Sequence, residues 1–119
     1  MTAAAELVAS AKTGIREITP QDVSRRLGRV LIVDVREPEE YSAGHLPGAI
    51  NIPRGLLEFR VDSHPLLCDR GCQVVLQYQS GGRSALATLT MRELGFKNVV
   101  NMAGGYSAWT ASGLPVATD

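Results

Sequence analysis

Val74-Val75-Leu76-Gln77-Tyr78-Gln79-Ser80-Gly81-Gly82-Arg83-Ser84 is the stretch that decides the fold, because an apolar strand runs through a glycine loop into a helix. Gly81 and Gly82 allow backbone conformations that are closed to other residues, so successive amides can point inward as an anion nest. The amino terminus of the following helix adds a partial positive charge, and Arg83 can add a full one. The sequence therefore predicts an anion-binding loop at Gln79–Ser84, and an ordinary glycine turn is the alternative.

Short apolar strands and helices alternate on both sides of this stretch. A helix is predicted over 20–27, because Thr19 can cap it, Pro20 suits its first position and Gly28 suits its end. Further elements are predicted as strands at 30–35, 49–52 and 98–102, and as helices at 38–41, 54–61, 84–94 and 106–112. Gly95 is predicted to end the 84–94 helix. Strands that alternate with helices predict an α/β fold of three layers, with a mainly parallel sheet of four to five strands and helices on both faces.

Several helical side chains are expected in the core. In the 54–61 helix, Leu56, Leu57 and Phe59 are expected to supply the apolar contacts. Met91, Met102 and Trp109 are expected to pack inside, and Tyr106 is expected at the rim. Residues 1–14 are alanine-rich and predict a helical extension ahead of the domain at 15–119.

The composition limits the classes of function. The chain has 119 residues, 45% of them apolar, which suits a single domain with a full core. Lys plus Arg and Asp plus Glu are balanced at 12 each, which argues against nucleic acid or a membrane surface as a partner. No apolar run approaches the roughly 18 residues of a membrane span, and the N-terminus is a poor secretory signal. A cytoplasmic location is therefore expected.

The cysteines and histidines do not form a recognisable metal or redox motif. Cys68 and Cys72 are separated by three residues rather than the two of a redox motif, and two reduced thiols are favoured over a disulfide or a reactive thiol. Both precede the predicted strand, at the end away from the loop. His45 precedes a Leu-Pro-Gly turn and is expected to bond backbone, and His64 shows no ligand spacing with the cysteines. Neither a metal nor a cofactor is predicted.

Several separated motifs occur in an order that resembles the single-domain rhodaneses, members of the rhodanese-like sulfurtransferase family. The resemblance covers about Ile18 to Pro115 and rests on these segments: Leu31–Glu37, Glu40-Tyr41, Gly44–Pro53, Gln79–Ala85, Gly104-Gly105, Ala108-Trp109 and Gly113-Leu114-Pro115. The resemblance implies an active loop that begins with a cysteine and ends with an arginine five positions later. Counting back five from Arg83 reaches Tyr78, so the position of the nucleophilic cysteine holds tyrosine.

The resemblance implies a thiosulfate sulfurtransferase whose cysteine carries sulfur as a persulfide to a thiol or cyanide. A tyrosine has no sulfur to carry, and its phenol has a pKa of about 10, so normal turnover is not expected. Tyr78 to Arg83 spans six residues, the length associated with sulfur substrates in this family; the related phosphatases have one residue more. A dual-specificity phosphatase is therefore disfavoured.

The sequence is compatible with three functions. The first is a domain that keeps an anion pocket at Gln79, Ser80, Gly81, Gly82, Arg83 and Ser84 and has lost the nucleophile. The second is an active sulfurtransferase whose cysteine is substituted in this sequence, and the third is a regulatory module that docks partners. The expected ligand is a small thiosulfate-like anion or a thiol acceptor protein.

Other polar residues are predicted to be structural. Asp34 and Arg36 end the first buried strand at the same edge as the loop and are expected to form a supporting charged network there. Glu37, Glu39 and Glu40 are expected to cap the first turn of the 38–41 helix. Ser80 and Ser84 have no evident base, so they are expected to cap a helix or bind an anion.

Overall fold

The computed structural model describes residue 4, residues 6–7, 14–67, 70–80 and 82–119, with only the backbone described at 82 and 83. Most of the predicted extension at 1–14 lies outside these residues, although Ala4, Glu6 and Leu7 are helical and exposed. None of the helices among these residues has the length and apolar character of a membrane span.

A parallel sheet of five strands forms the centre of the described chain. The strands are β1 (Glu17–Ile18), β2 (Leu31–Asp34), β3 (Ile50–Asn51), β4 (Val74–Gln77) and β5 (Val99–Met102). Their order is β1-β5-β4-β2-β3, so β4 lies at the middle of the sheet. Register pairs Asp34 with Gln77 and Leu76 with Asn101. The predicted parallel α/β sheet is confirmed.

Helices cover both faces of the sheet. They are α1 (Pro20–Arg25), α2 (Pro38–Ala43), α3 (Leu57–Arg60), α4 (Gly82–Glu93) and α5 (Gly105–Ala111), and short 3₁₀ turns occupy Arg54–Leu56 and Pro65–Leu67. One core lies under α3 and α4, around Val33, Leu76 and Met91. The other lies under α1 and α5, around Ile32, Val75 and Trp109. Neighbouring strand residues alternate between the two cores, as expected of strands covered on both faces.

Local chemistry explains several boundaries. The Thr19 hydroxyl accepts the Asp22 amide at 3.1 Å and starts α1, with Pro20 in the first turn. Glu37 and Glu40 form a reciprocal capping box that starts α2. Gly95 takes a φ of 101° after α4, as expected of a residue that ends a helix. The caps predicted at Thr19, Glu37 and Glu40 and the helix end predicted at Gly95 are confirmed. The helix predicted over 20–27 ends earlier, at Arg25 with Arg26 as its C-cap, so Gly28 does not directly end it.

The segment 54–61 differs from its prediction. It is a 3₁₀ turn followed by the four-residue helix α3, and only Leu57 among the expected apolar side chains is buried. Phe59 is 80% exposed and Leu56 37% exposed, so the expected core contacts of these two residues are wrong. A helix of four residues presents one short face to the core, and Leu57 occupies it.

Strand β1 was not predicted. It has only two residues, and its sequence lacks an apolar run. It exists because Glu17 and Ile18 pair with Asn101 and Met102 at the edge of the sheet, a contact between segments far apart in sequence.

Candidate functional site

The loop after β4 leaves the carboxyl edge at the middle of the sheet, where parallel α/β folds bind ligands. Tyr78 follows the strand directly; it is half-buried and packs against the core on the α4 face. Gln79 is half-buried, Ser80 is exposed, and α4 begins at Gly82. Gly81 and the side chain of Arg83 lie outside the described structure, so their predicted roles stay predictions.

The first turn of α5 holds the carbonyl groups of this loop. The Tyr106 amide donates to the Tyr78 carbonyl at 2.7 Å, and the Ser107 amide donates to the Gln79 carbonyl at 2.9 Å. The Gln79 side-chain amide also donates to the Ser107 hydroxyl at 2.9 Å. In a planar trans peptide the C=O and the next N–H point in opposite directions. The amides of Gln79 and Ser80 therefore point away from α5, and their direction fits an inward-facing anion nest.

Two glycines bring α5 close enough to make these bonds. Gly104 and Gly105 have φ values of 75° and 61°, in the left-handed region that favours glycine. A Cβ at Gly104 would also lie 2.6 Å from the Cβ of Ala108. The Gly-Gly pair is thus required for the turn from β5 into α5 and for the contact with the loop.

A buried ion pair lies one strand away from the loop. Arg36 donates to both carboxylate oxygens of Asp34, the shortest contact being 2.8 Å from Nη2 to Oδ2, and both side chains are almost fully buried. Arg36 also donates to the Gly44 carbonyl at 2.6 Å, and its guanidinium lies 4.1 Å from the centre of the Tyr106 ring. Asp34 and Arg36 are therefore connected to the loop through Tyr106, whose amide binds Tyr78.

Gln77 is a polar residue of this edge that sequence analysis passed over. It is fully buried at the end of β4, and its side-chain amide donates to the Tyr78 carbonyl at 2.9 Å. Its Oε1 has no hydrogen-bond partner among the described residues. The Tyr78 carbonyl consequently accepts two hydrogen bonds, from Gln77 and from Tyr106. A polar residue that ends an otherwise apolar strand was the available signal.

Ser84 has a more restricted role than predicted. Its side chain is fully buried, and its hydroxyl donates to Asn101 Oδ1 at 2.5 Å. Its hydroxyl proton therefore points into the interior of the protein rather than toward the loop. Asn101, another residue that sequence analysis missed, ends up beside the loop because β5 pairs with β4.

His45 has the structural role that was expected. Nδ1 lies 2.8 Å from the Tyr41 carbonyl, and its ring stacks on the Tyr41 ring with centres 3.8 Å apart. Nε2 lies 3.3 Å from Asp119 Oδ1, where the chain after α5 pairs back with His45 through Ala117. Burial, together with the charges of Asp119 and Asp34, raises the pKa of Tyr41 above 10.0. The Tyr41 hydroxyl therefore remains protonated and donates to the Ala49 carbonyl.

The remaining expected and possible sites lie away from the loop. Cys72 is half-buried two residues before β4, at the opposite end of the strand from the loop, and Cys68 lies outside the described residues. The described residues contain no group of three His, Cys, Asp or Glu side chains that could hold a metal ion. A cavity of about 310 Å³ opens at the amino edge of the sheet, lined partly by Arg16, Arg26 and Asn98.

Comparison with known proteins identifies the class. The family model of the rhodanese-like domain matches residues 19–112. The chain therefore belongs to the rhodanese-like domain family.

The relatives and a solved structure agree with this assignment. The chain is 44% identical to the chloroplastic thiosulfate sulfurtransferase 16 of Arabidopsis thaliana, over 70% of this chain and 76% of that protein. It is 36% identical to a sulfurtransferase of Allochromatium vinosum, over 86% and 94% of the two chains. The structure of a protein of unknown function from Rhodopseudomonas palustris, described as a possible tyrosine phosphatase, matches with a TM-score of 0.90 and 30% identity over 98% of this chain and 96% of that one.

Proposed function

We propose that this chain is a rhodanese-like domain of the sulfurtransferase class that binds a small anion at the 79–84 loop and does not form a persulfide. The observation that carries the proposal is the position of Tyr78, at the head of the loop between the central strand β4 and α4. In the sulfurtransferase reaction a cysteine thiolate at this position attacks the outer sulfur of thiosulfate. The S–S bond breaks, sulfite leaves with the electron pair, and the persulfide passes its sulfur to cyanide or to another thiolate.

The surroundings of Tyr78 suit the binding step of this chemistry. The carbonyls of Tyr78 and Gln79 bond to α5, and the next amides point the other way. The amino terminus of the 12-residue helix α4 adds partial positive charge at the same place. These groups would lower the pKa of a thiol at position 78 and would stabilise the charge that develops during sulfur transfer. A tyrosine at this position has no sulfur atom with which to form the persulfide.

Small anionic sulfur compounds of the thiosulfate type are the proposed ligands, and thiol proteins are the proposed acceptors of the class. The relatives from Arabidopsis thaliana and Allochromatium vinosum described above are both named sulfurtransferases, which supports this choice. The balanced charge of the chain gives no support to nucleic acid as a partner. No cofactor is needed for this chemistry, and a cytoplasmic location is proposed from the sequence.

Anion binding can be tested separately from sulfur transfer. Inorganic sulfate and thiosulfate are titrated into the ¹⁵N-labelled chain, beside the Tyr78→Ser variant, which opens the same space without supplying sulfur. We expect amide shifts at 79–80 and 82–85 in both proteins, with tighter binding in Tyr78→Ser because the ring is removed. Titrations that leave these amides unchanged in both proteins would contradict the anion pocket.

The likeness to a possible tyrosine phosphatase supplies a second readout. The loop from Tyr78 to Arg83 has six residues, the length associated with sulfur substrates in this family. The Tyr78→Cys variant is therefore expected to transfer sulfur and to leave an aryl phosphate intact. If Tyr78→Cys releases phosphate faster than it transfers sulfur, the loop is a phosphatase site rather than a sulfurtransferase site.

A further inference from the structure

Three polar side chains connect the edge strand β1 with the first turn of α4. The Ser84 hydroxyl donates to Asn101 Oδ1 at 2.5 Å, and Asn101 Nδ2 donates to Glu17 Oε2 at 2.7 Å. Ser84 and Asn101 are fully buried, whereas Glu17 lies at the surface. Since buried polar side chains are costly unless paired, this arrangement fixes the relative position of the elements that it joins.

The Glu17 carboxylate sets the direction of the two hydrogen bonds that connect it to Ser84 through Asn101. An ionised carboxylate only accepts, so the Asn101 amide must turn Nδ2 toward Glu17. Oδ1 then faces Ser84, and an amide oxygen also only accepts. The Ser84 hydroxyl must therefore donate to Asn101, and its proton is directed into the protein rather than toward the loop.

Ser84 is the third residue of α4 and lies in its first turn, directly after the loop. Its carbonyl is held as well, because the Thr88 hydroxyl donates to it at 2.7 Å. The contacts of Ser84 with Thr88 and with Asn101 join it to different parts of the fold. Thr88 ties Ser84 to its own helix, whereas Asn101 ties it to the sheet and so sets how α4 approaches the carboxyl edge.

We propose that Asn101 is a positioning residue for the anion-binding loop, acting through Ser84 and oriented by Glu17. It holds the first turn of α4 at the carboxyl edge and keeps the Ser84 proton turned inward, so that the loop recognises an anion by backbone amides. This inference rests on the proposed anion-binding function. It adds a residue outside the loop that determines how well the loop binds.

A double-mutant cycle tests the coupling. Sulfate affinity is measured for the full chain, Ser84→Ala, Asn101→Leu and the double variant, with Thr88→Val as the control that removes a buried hydroxyl from the same helix. We expect each single change to Ser84 or Asn101 to weaken sulfate binding about five- to tenfold, as for the loss of one hydrogen bond. The double variant should bind no more weakly than either single one, and Thr88→Val should stay within about twofold. Additive losses, or an equal loss in Thr88→Val, would overturn the proposal.

A charge exchange tests the role of Glu17. Asn101→Asp keeps an acceptor for Ser84 but places a second carboxylate against Glu17, so it should weaken sulfate binding. Adding Glu17→Gln restores a donor opposite that carboxylate and should return the affinity to within about twofold of the unchanged chain. A general loss of packing would not be repaired in this way, and failure of the rescue would contradict the proposed orientation.

Sulfate titration of the unchanged chain distinguishes a failure of the proposed anion binding from a failure of the proposed role of Asn101. If sulfate moves none of its loop amides, the anion pocket is wrong, and the coupling is then decided by hydrogen exchange. Amides 82–85 should exchange faster in Ser84→Ala and in Asn101→Leu than in Thr88→Val. Equal exchange in all three variants would show that Asn101 does not position the start of α4.

Discussion

The two edges of the sheet differ in how their polar groups are arranged. At the carboxyl edge five polar residues are almost completely buried: Asp34, Arg36, Gln77, Ser84 and Asn101. Arg36 pairs with Asp34, Gln77 donates to the Tyr78 carbonyl, and Asn101 accepts from Ser84. At the amino edge a cavity of about 310 Å³ has a partly charged lining whose arginines, Arg16 and Arg26, are exposed. This cavity and the more constrained polar groups are thus at opposite ends of the strands.

The difference shows which observation is informative about function. A buried polar group costs free energy unless it is paired, so a cluster of such groups indicates a position that the fold specifies closely. Exposed charges beside a gap between strand ends carry no such requirement. The carboxyl edge is therefore the better candidate for binding, although its loop does not form the cavity of about 310 Å³.

The largest expected effect comes from breaking the buried ion pair. Arg36→Met leaves the Asp34 carboxylate buried without its partner, and we expect the free energy of unfolding to fall by about 3–5 kcal/mol in urea denaturation. Arg25→Met is the matched control, because Arg25 pairs with Asp22 at 3.0 Å with side chains 65% and 48% exposed. That loss should stay below about 1 kcal/mol. Equal losses of unfolding free energy in Arg36→Met and Arg25→Met would show that the buried ion pair is no more important for stability than the exposed one.

The next effect concerns the contact between α5 and the loop. Gly104→Ala combines a left-handed φ of 75° with a Cβ only 2.6 Å from Ala108, whereas Gly28→Ala has a φ of 82° and open space around it. We expect Gly28→Ala to cost about 1 kcal/mol and Gly104→Ala clearly more. The Tyr106 and Ser107 amides should also exchange faster in Gly104→Ala, as hydrogen exchange can measure. An equal loss of stability in the two variants would show that the close packing of Gly104 against Ala108 does not matter for the turn into α5.

A smaller effect is expected at the amino edge. Arg26→Ala removes one of the exposed arginines of that cavity and should change stability by no more than about 0.5 kcal/mol. Sulfate titration should give the same loop shifts as in the unchanged chain. A marked loss of sulfate binding in Arg26→Ala would show that the anion binds at the amino edge, in contradiction to our proposal.

The smallest effect is a dependence on pH at the surface. Burial would raise the pKa of Glu58, but a backbone hydrogen bond and Arg54, 3.0 Å away, outweigh it and lower the pKa below 4.5. A carboxyl group with a lowered pKa stabilises the fold above its ordinary pKa, and this contribution is lost as the pH falls through the folded value. Because Glu58 is 41% exposed, the contribution is about 0.3 kcal/mol.

Glu58→Gln isolates this contribution. Its stability difference from the unchanged chain should be present at about pH 6 and should vanish near pH 3. A difference that grows as the pH falls would have the wrong sign for this ion pair.

The sequence predicts features that depend on neighbouring residues. The Thr19 cap, the Gly95 helix end and the alternation of strands with helices all follow from local chemistry, and the structure confirms them. The loop between β4 and α4 was placed in the same way, from an apolar run followed by glycines. Its ligand and the consequence of Tyr78 stay predictions.

Features that depend on distant contacts were not predicted. Strand β1 forms because it meets β5, and Asn101 reaches Ser84 because β5 lies beside β4. The importance of Gln77 can be recognised only when its strand is known to be the central one of the sheet. Phe59 is exposed because the chain turns from a 3₁₀ helix into a short α-helix, a break that apolar periodicity did not reveal.

Restoring sulfur chemistry at position 78 tests the central claim most directly. The unchanged chain, Tyr78→Cys and Tyr78→Ser are incubated with thiosulfate, analysed by intact mass spectrometry, and then assayed for thiocyanate after cyanide is added. We predict that Tyr78→Cys alone gains the mass of one sulfur atom and produces thiocyanate in repeated turnovers. Equal sulfur loading and thiocyanate production by the unchanged chain would contradict the account.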